Sequence, residues 1–188
     1  MGSSVPAEAV RSLLALCSTM KNIQLIEGDI TLAEVDAIVN AANPRMLGGG
    51  GVDGAIHKAA GPRLLEKCRK VKPENGIRCP FGQARLTAAG DLTAKFVIHT
   101  VGPRYKIEAN PSELLASAYQ NSLDLALENS CQSIAFPAIS CGAYGYPLDE
   151  AANIAISVCR QSKYEKLRIY FYLYGKSVFE AWSKALET

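Results

Sequence analysis

The sequence predicts a layered α/β domain, with helices on both faces of a largely parallel sheet. Short apolar runs alternate with segments of helical periodicity through most of the 188 residues. One run, Ala37 to Asn40, carries no charge, as a strand buried on both faces requires. Four consecutive glycines, Gly48 to Gly51, stand between that run and a helical pattern, where a ligand-binding turn of an α/β sheet belongs.

Taken in order, residues 1–20 are expected to be an N-terminal extension. Val10, Leu13, Leu14 and Cys17 follow helical spacing, with Pro6 near the start. The domain proper is expected over 21–188. Ile23 to Ile26 reads as a strand ending in Glu27-Gly28-Asp29-Ile30-Thr31, and Ala37 to Asn40 as a second. A helix is predicted from about Val52; Gly61-Pro62 breaks or resets it, with a continuation to about Val71. Pro73-Glu74-Asn75-Gly76 is a loop. Ala84 to Ala88 and Phe96 to Val101 are strands around Gly90-Asp91. Pro111-Ser112 opens a helix that Ser112 is expected to cap, with Leu115, Ala118, Tyr119, Ser122, Leu123 and Ala126 inward. Ser133 to Phe136 is a strand, Pro137 to Pro147 a loop of small residues, and Leu148 to Arg160 a helix. Leu167 to Leu173 is the last strand; Ser177 to Leu186 is the last helix, with Phe179, Trp182 and Leu186 inward.

Composition narrows the function. The net charge is only +2, and the densest basic cluster, Lys67, Arg69, Lys70 and Lys72, reads as a solvated helix end. Binding to nucleic acid is therefore not expected. Six cysteines lack CxxC spacing, and only His57 and His99 could join them, so no metal site is expected. Reduced thiols packed as small hydrophobes suit a cytoplasmic protein. No apolar run reaches the length of a membrane span, so no membrane association is expected.

Three segments that follow strands are expected to converge on one cleft: Gly28–Thr31, Asn40–Asp53 and Ser140–Tyr146. The glycine turn has neither GK[ST] nor GxGxxG spacing. The backbone of Gly51 and Val52 would nonetheless face a phosphate at the helix start. Ser140-Cys141-Gly142-Ala143-Tyr144-Gly145-Tyr146 offers a second close approach, with Tyr144 covering a sugar, so a diphosphate clamped between two loops is expected. Asp53 in the first helical turn either serves the helix dipole or holds a ribose hydroxyl or water. His57, one turn on, either shares that face or is structural. Asn43 is suited to a sugar diol, whereas Asn40 is read as fixing the turn through backbone bonds. Asp29 caps the next segment or meets the ligand; Tyr174 is a base-stacking platform or an ordinary packed tyrosine.

Together, Gly28-Asp29-Ile30-Thr31, Asn40-Ala41-Ala42-Asn43, Gly48 to His57, Gly61-Pro62, His99-Thr100-Val101-Gly102-Pro103 and Pro137-Ala138-Ile139-Ser140 resemble the blocks of the macrodomain family, in its order. Within it they resemble the MacroD-type ADP-ribosylhydrolases, through the Gly-Gly-Gly-Gly-Val-Asp-Gly string. The resemblance runs from about Ile23 to the end. It implies a three-layer α/β/α sandwich around a central mixed, largely parallel sheet, with ADP-ribose in a cleft at the sheet edge. Asp29 and the Ile30 backbone would meet adenine and Tyr174 would stack on it. Gly51 and Val52, with Ser140, Gly142, Ala143, Tyr144 and Gly145 opposite, would hold the diphosphate; Asn43 and Asp53 would contact the distal ribose.

The implied reaction is hydrolysis of the ester joining that ribose to Asp or Glu of mono-ADP-ribosylated proteins, and of O-acetyl-ADP-ribose. Asp53 would position water and sugar, Tyr144 would shape the distal pocket, and the substrate phosphate would assist as base. Asn43, Tyr144 and His57 complete the implied catalytic set. No metal or other cofactor is implied, and a monomer is expected. Cys141 stands where relatives commonly carry threonine, which raises oxidation sensitivity as an expectation. The rival readings are an ADP-ribose reader without turnover, a phosphatase acting on ADP-ribose 1″-phosphate, and an RNA or poly(ADP-ribose) adaptor that the near-neutral charge disfavours.

Overall fold

The computed structural model of the protein describes residues 22–188, so the expected N-terminal helix lies outside the described residues. Six strands form one sheet: β1 (Ile23–Glu27), β2 (Ala37–Ala41), β3 (Ala84–Ala88), β4 (Phe96–Thr100), β5 (Ser133–Phe136) and β6 (Arg168–Leu173). Their spatial order is β1-β6-β5-β2-β4-β3. All neighbours are parallel except β3, which runs antiparallel to β4 at the edge. Among the described residues, five α-helices cover the sheet: α1 (Gly51–Ala60), α2 (Pro62–Lys70), α3 (Pro111–Glu128), α4 (Leu148–Cys159) and α5 (Lys176–Glu187). Short 3-10 turns occupy Ile30–Leu32 and Ser162–Tyr164.

The sheet separates two apolar cores. One gathers α3, α4 and α5 around Tyr119, Phe136, Phe171 and Trp182; the other gathers α1 and α2 around Ile38, Ile56, Leu64 and Val97. The chain is thus an α/β/α sandwich. Phe136 and Phe171 stack with ring centroids 5.6 Å apart, and Tyr119 and Trp182 tilt against them. Each such buried ring stabilises the fold by about 2–3 kcal/mol of removed apolar surface.

Strand alternation decides which side chains reach the site. On β2, Ala37 and Val39 enter the first core and Ile38 the second, so Asn40 faces α1. On β4, Ile98 enters the first core and Val97 the second, so His99 also faces α1 and α2.

β2 and β5 are neighbours, yet β2 leads to α1 on one face and β5 to α4 on the other. A crevice at the carboxyl ends of such a strand pair is where ligands enter α/β sheets.

Among the described residues the predicted elements are present, and the differences are local. Gly61 divides α1 from α2 with a positive φ of 70°. Ser112 does not cap α3: Asn110 holds the cap position in a left-handed conformation without a side-chain bond, and Pro111 starts the helix. Proline suits the first helical position, where its fixed φ is helical and its missing N–H would have had no intrahelical acceptor. The basic cluster at Lys67, Arg69 and Lys70 does lie in the exposed last turn of α2, where it complements the helix dipole. No helix among the described residues is long and apolar enough to cross a membrane.

Candidate active site

Two adjoining cavities open along the carboxyl edge of the sheet. The first, about 330 Å³, lies between the glycine turn and the β5–α4 loop, with Asn43, Gly49, Asp53, Gly102, Ser140 and Tyr144 on its wall. The second, about 460 Å³, is lined by Gly28, Asp29, Ile30, Cys141, Tyr172 and Tyr174, among others. Gly51, Val52, Ala138 and Gly142 border both, so the two form one cleft. The three suspected segments therefore converge.

The start of α1 projects into the middle of this cleft. The first N–H groups of a helix have no intrahelical acceptor, and the dipole there favours an anion. Gly51 and Val52, the first two residues of α1, border both cavities, with Gly142 and Ala143 facing from the other loop. This is a place for a diphosphate. Ser140 adopts φ 65°, unusual for a non-glycine residue, and is 7 % exposed with its hydroxyl unpartnered. Gly102 admits that geometry: a Cβ on it would stand 2.2 Å from the Ser140 Oγ.

Asp53 sits at the end of the first cavity, only 4 % exposed. Asn40 Nδ2 donates to its Oδ1 at 2.7 Å, and His57 Nε2 lies 3.4 Å from the same oxygen. Its other oxygen, Oδ2, has no partner. Gly49 leaves room for that oxygen, since a Cβ there would come within 2.9 Å of it. Burial pushes the Asp53 carboxyl above its ordinary range, against the Asn40 hydrogen bond and the His57 ring, which pull it down. A carboxylate so placed keeps an unpartnered oxygen beside Gly49 on the cavity wall and is a better proton acceptor than one in water.

Behind Asp53 lies a buried polar chain. His99 Nδ1 is 3.2 Å from Asn40 Nδ2, and its Nε2 is 3.0 Å from Thr87 Oγ1. Burial lowers the His99 imidazole to about 3, with His57 adding to the effect, so it is neutral. The donor atoms of His57, Cys68 and His99 lie within 4.8 Å of one another, a proximity that chain spacing hides. Both His99 nitrogens have hydrogen-bond partners, however, and burial pushes the Cys68 thiol up to about 11. Those groups fit a hydrogen-bonded network better than a cation site.

Most predicted site residues line the cleft: Asp29, Ile30, Asn43, Gly51, Val52, Asp53, Ser140, Gly142, Ala143, Tyr144 and Tyr174. Asn40, His57 and Gly145 do not. The role read for Asn40 needs correction, and Asn43 has a second one. Asn40 is fully buried and holds Asp53 rather than the backbone. Asn43 fixes the turn, donating to the Gly48 carbonyl at 3.0 Å and accepting from the Arg45 N–H at 3.0 Å, while it also lines the first cavity.

Asp29 caps its turn, accepting from the Thr31 N–H and hydroxyl, and lines the second cavity as well. Tyr174 is 89 % exposed at the cleft mouth, not packed as core. Tyr144 is anchored through its carbonyl, which accepts from the Tyr105 N–H at 3.0 Å. Cys141, half-buried on the wall of the second cavity, has its thiol pushed up to about 12 by burial, which disfavours the reactive thiolate.

Among the wall residues not predicted from sequence are Gly49, Gly102 and Tyr172. Gly49 and Gly102 were indistinguishable from other glycines in their blocks. Tyr172 is signalled by strand period, two residues before Tyr174.

Comparison with known proteins agrees with this geometry. The sequence profile of the Macro domain matches residues 39–155. A macro domain-containing protein of Vibrio parahaemolyticus is 60 % identical over 167 residues, covering 89 % of this chain and 98 % of that one. An O-acetyl-ADP-ribose deacetylase of Citrobacter rodentium is 54 % identical, covering 87 % and 94 % respectively. Among solved structures, the Oceanobacillus iheyensis macrodomain with ADP superposes with a TM-score of 0.83 at 39 % identity, covering 89 % of this chain and 92 % of that one. The Trypanosoma brucei macrodomain in complex with ADP-ribose gives 0.81 at 39 % identity, covering 90 % and 71 %. With that profile match and that extent of identity, the chain belongs to the macro domain family.

Proposed function

We propose that this protein binds ADP-ribose in the cleft and hydrolyses an ester on its distal ribose. The substrates are O-acetyl-ADP-ribose and proteins mono-ADP-ribosylated on Asp or Glu. The observation that carries this reading is buried Asp53, with an unpartnered Oδ2, on the wall of a cavity otherwise lined mostly by backbone and small side chains. A clamp that only held a diphosphate would gain nothing from an acid beside it. The deacetylase name of the Citrobacter relative supports the acetyl ester; the protein ester is the finer reading, supported by the MacroD-type string at Gly48–Gly54.

In this assignment adenine lies in the second cavity against Tyr174, near Asp29. The diphosphate crosses the start of α1. The distal ribose reaches Asp53, Asn43 and Tyr144. Water adds to the ester as its hydroxyl joins the acyl group and its proton goes to the ribose oxygen. Asp53 holds that water and the sugar through Oδ2, and Tyr144, whose phenol burial keeps protonated, donates only neutral hydrogen bonds. Orientation supplies much of the acceleration. The binding domain runs over 21–188, in a cytoplasmic monomer.

Incubation with a glutamate-linked mono-ADP-ribosylated protein, and separately with O-acetyl-ADP-ribose, tests the assignment. Free ADP-ribose is expected from both with the parent and from neither with Asp53→Ala. Tight ADP-ribose binding without release by the parent would instead make the protein a reader; inorganic phosphate from ADP-ribose 1″-phosphate would make it a phosphatase.

A further inference from the structure

We infer that His99 is a positioning residue: through Asn40 it fixes which end of an amide meets the Asp53 carboxylate. The inference rests on the reading of Asp53 given above. Asn40 and His99 are register partners on the adjacent parallel strands β2 and β4. Both are completely buried, and Thr87 on β3 is 6 % exposed. Bulk water is therefore excluded from the group.

The two hydrogens of the Asn40 amide are divided between two acceptors. One goes to Asp53 Oδ1 at 2.7 Å; the other points to His99 Nδ1 at 3.2 Å. That second bond requires Nδ1 to carry a lone pair, so the imidazole proton sits on Nε2. Thr87 Oγ1, 3.0 Å from Nε2, accepts it. Turning the amide over would place Asn40 Oδ1 against Asp53 Oδ1. Only a protonated Asp53 tolerates that, and only if His99 moves its proton to Nδ1. The Nε2–H tautomer thus selects the amide orientation that stabilises ionised Asp53. Asn40 Oδ1, buried without a partner, is the cost of this arrangement.

Other ionisable groups face the same pocket. His57 shares α1 with Asp53, Cys68 approaches His99 Nε2 from α2 at 3.6 Å, Arg85 is the β3 register partner of His99, and Tyr144 lies across the cavity. None of these makes a hydrogen bond to the Asn40 amide, so none can set its orientation in place of His99.

Four variants test this: His99→Leu, His99→Asn, Thr87→Val and Asp53→Asn. His99→Leu is expected to lower kcat roughly tenfold to a hundredfold, as a misplaced reacting group does. ADP-ribose affinity should stay at the parent value, and the acid limb of the kcat profile should move to higher pH. His99→Asn puts an amide oxygen where Nδ1 stood and should recover most of kcat. Thr87→Val should lower kcat in the same direction by less, and it decides the matter if His99→Leu does not fold.

In the parent, 15N spectra of the imidazoles should show His99 as the Nε2–H tautomer at neutral pH. An Nδ1–H tautomer, or parent kcat in folded His99→Leu or in Thr87→Val, overturns the inference. Asp53→Asn separates the two levels. Parent turnover in that variant sinks the reading of Asp53 itself; loss of turnover there, with parent kcat in His99→Leu, sinks only the role of His99.

Discussion

Asn40 and Asp53, thirteen residues apart on β2 and α1, are joined by a 2.7 Å hydrogen bond in which the strand amide donates to the helix carboxylate. This bond ties the glycine turn shut at its base and holds a buried acid in one orientation. Removing the donor leaves Oδ1 with only the 3.4 Å approach of His57. Asn40→Ala should therefore destabilise the fold by about 1–3 kcal/mol, the usual cost of stranding a buried polar group. Turnover should fall further than stability alone explains, because the carboxyl rises once its hydrogen bond is lost. Urea unfolding and ester hydrolysis on the same preparation measure both. Parent stability in the variant would mean the bond contributes nothing.

Ser140 offers a test of strain held at a binding wall. Its φ of 65° is disfavoured for a side chain with a Cβ, and its hydroxyl is buried without a partner. Ser140→Gly relieves both. The variant should be as stable as the parent or more so, by up to about 1 kcal/mol, while ADP-ribose binding weakens through loss of the hydroxyl on the cavity wall. Calorimetry with ADP-ribose and thermal unfolding together check this. A variant that is less stable would show that Ser140 packing against Gly102 outweighs the strain.

Gly49 lies where Asp53 Oδ2 and Asn43 Nδ2 both come close to the main chain, at 2.9 and 3.2 Å from a Cβ placed there. Gly49→Ala should push the carboxylate off its position. The expected result is a turnover loss of about tenfold or more, with cooperative unfolding retained. Unchanged turnover would mean that Oδ2 does not face the reacting centre.

Much of this arrangement was legible in the sequence. The run Ala37–Asn40, the glycines and Asp53 announce strand, turn and helix through local chemistry alone. What stayed hidden depends on pairing between distant strands. Asn40 and His99 are 59 residues apart, and only the parallel register of β2 and β4 sets them side by side. The same cause misassigned Asn40: either asparagine could fix a turn by local rules, and strand parity decides that Asn40 points under α1 while Asn43 stays in the loop. Ser112 was misread because capping propensity ignores Pro111 before it. The surroundings of Cys141 were hidden as well, because sequence shows a thiol near a site but not how far it is buried.

Burial of Cys141 yields a further expectation. Its thiol, pushed up to about 12, donates to the Ile139 carbonyl at 3.5 Å and is not a thiolate at neutral pH. Thiolate is the form that peroxide attacks. Hydrolysis should survive peroxide treatment at pH 7, and mass spectrometry should find Cys141 unmodified. A sulfenic or sulfinic adduct at that residue would show that the loop opens in solution.

His99 makes stability depend on pH, with a definite sign. Its folded imidazole is lowered to about 3 by burial, while an unfolded one titrates near its ordinary value of about 6.5. Between those values the unfolded chain binds a proton that the folded one does not. The stabilising contribution is thus complete above about pH 6.5 and is lost as pH falls towards 3, by up to about 1.4 kcal/mol per pH unit. Asp53 acts in the opposite sense: its carboxyl is raised in the folded state, so its contribution weakens as pH rises above about 4, the unfolded carboxyl value. Comparing parent with His99→Asn cancels Asp53 to first order and leaves His57 in both. Denaturant unfolding from pH 7 to 4.5 should show a steeper loss in the parent than in the variant. Coincident slopes would mean that His99 takes up its proton without leaving the fold, and that the buried chain from Thr87 to Asp53 opens to water.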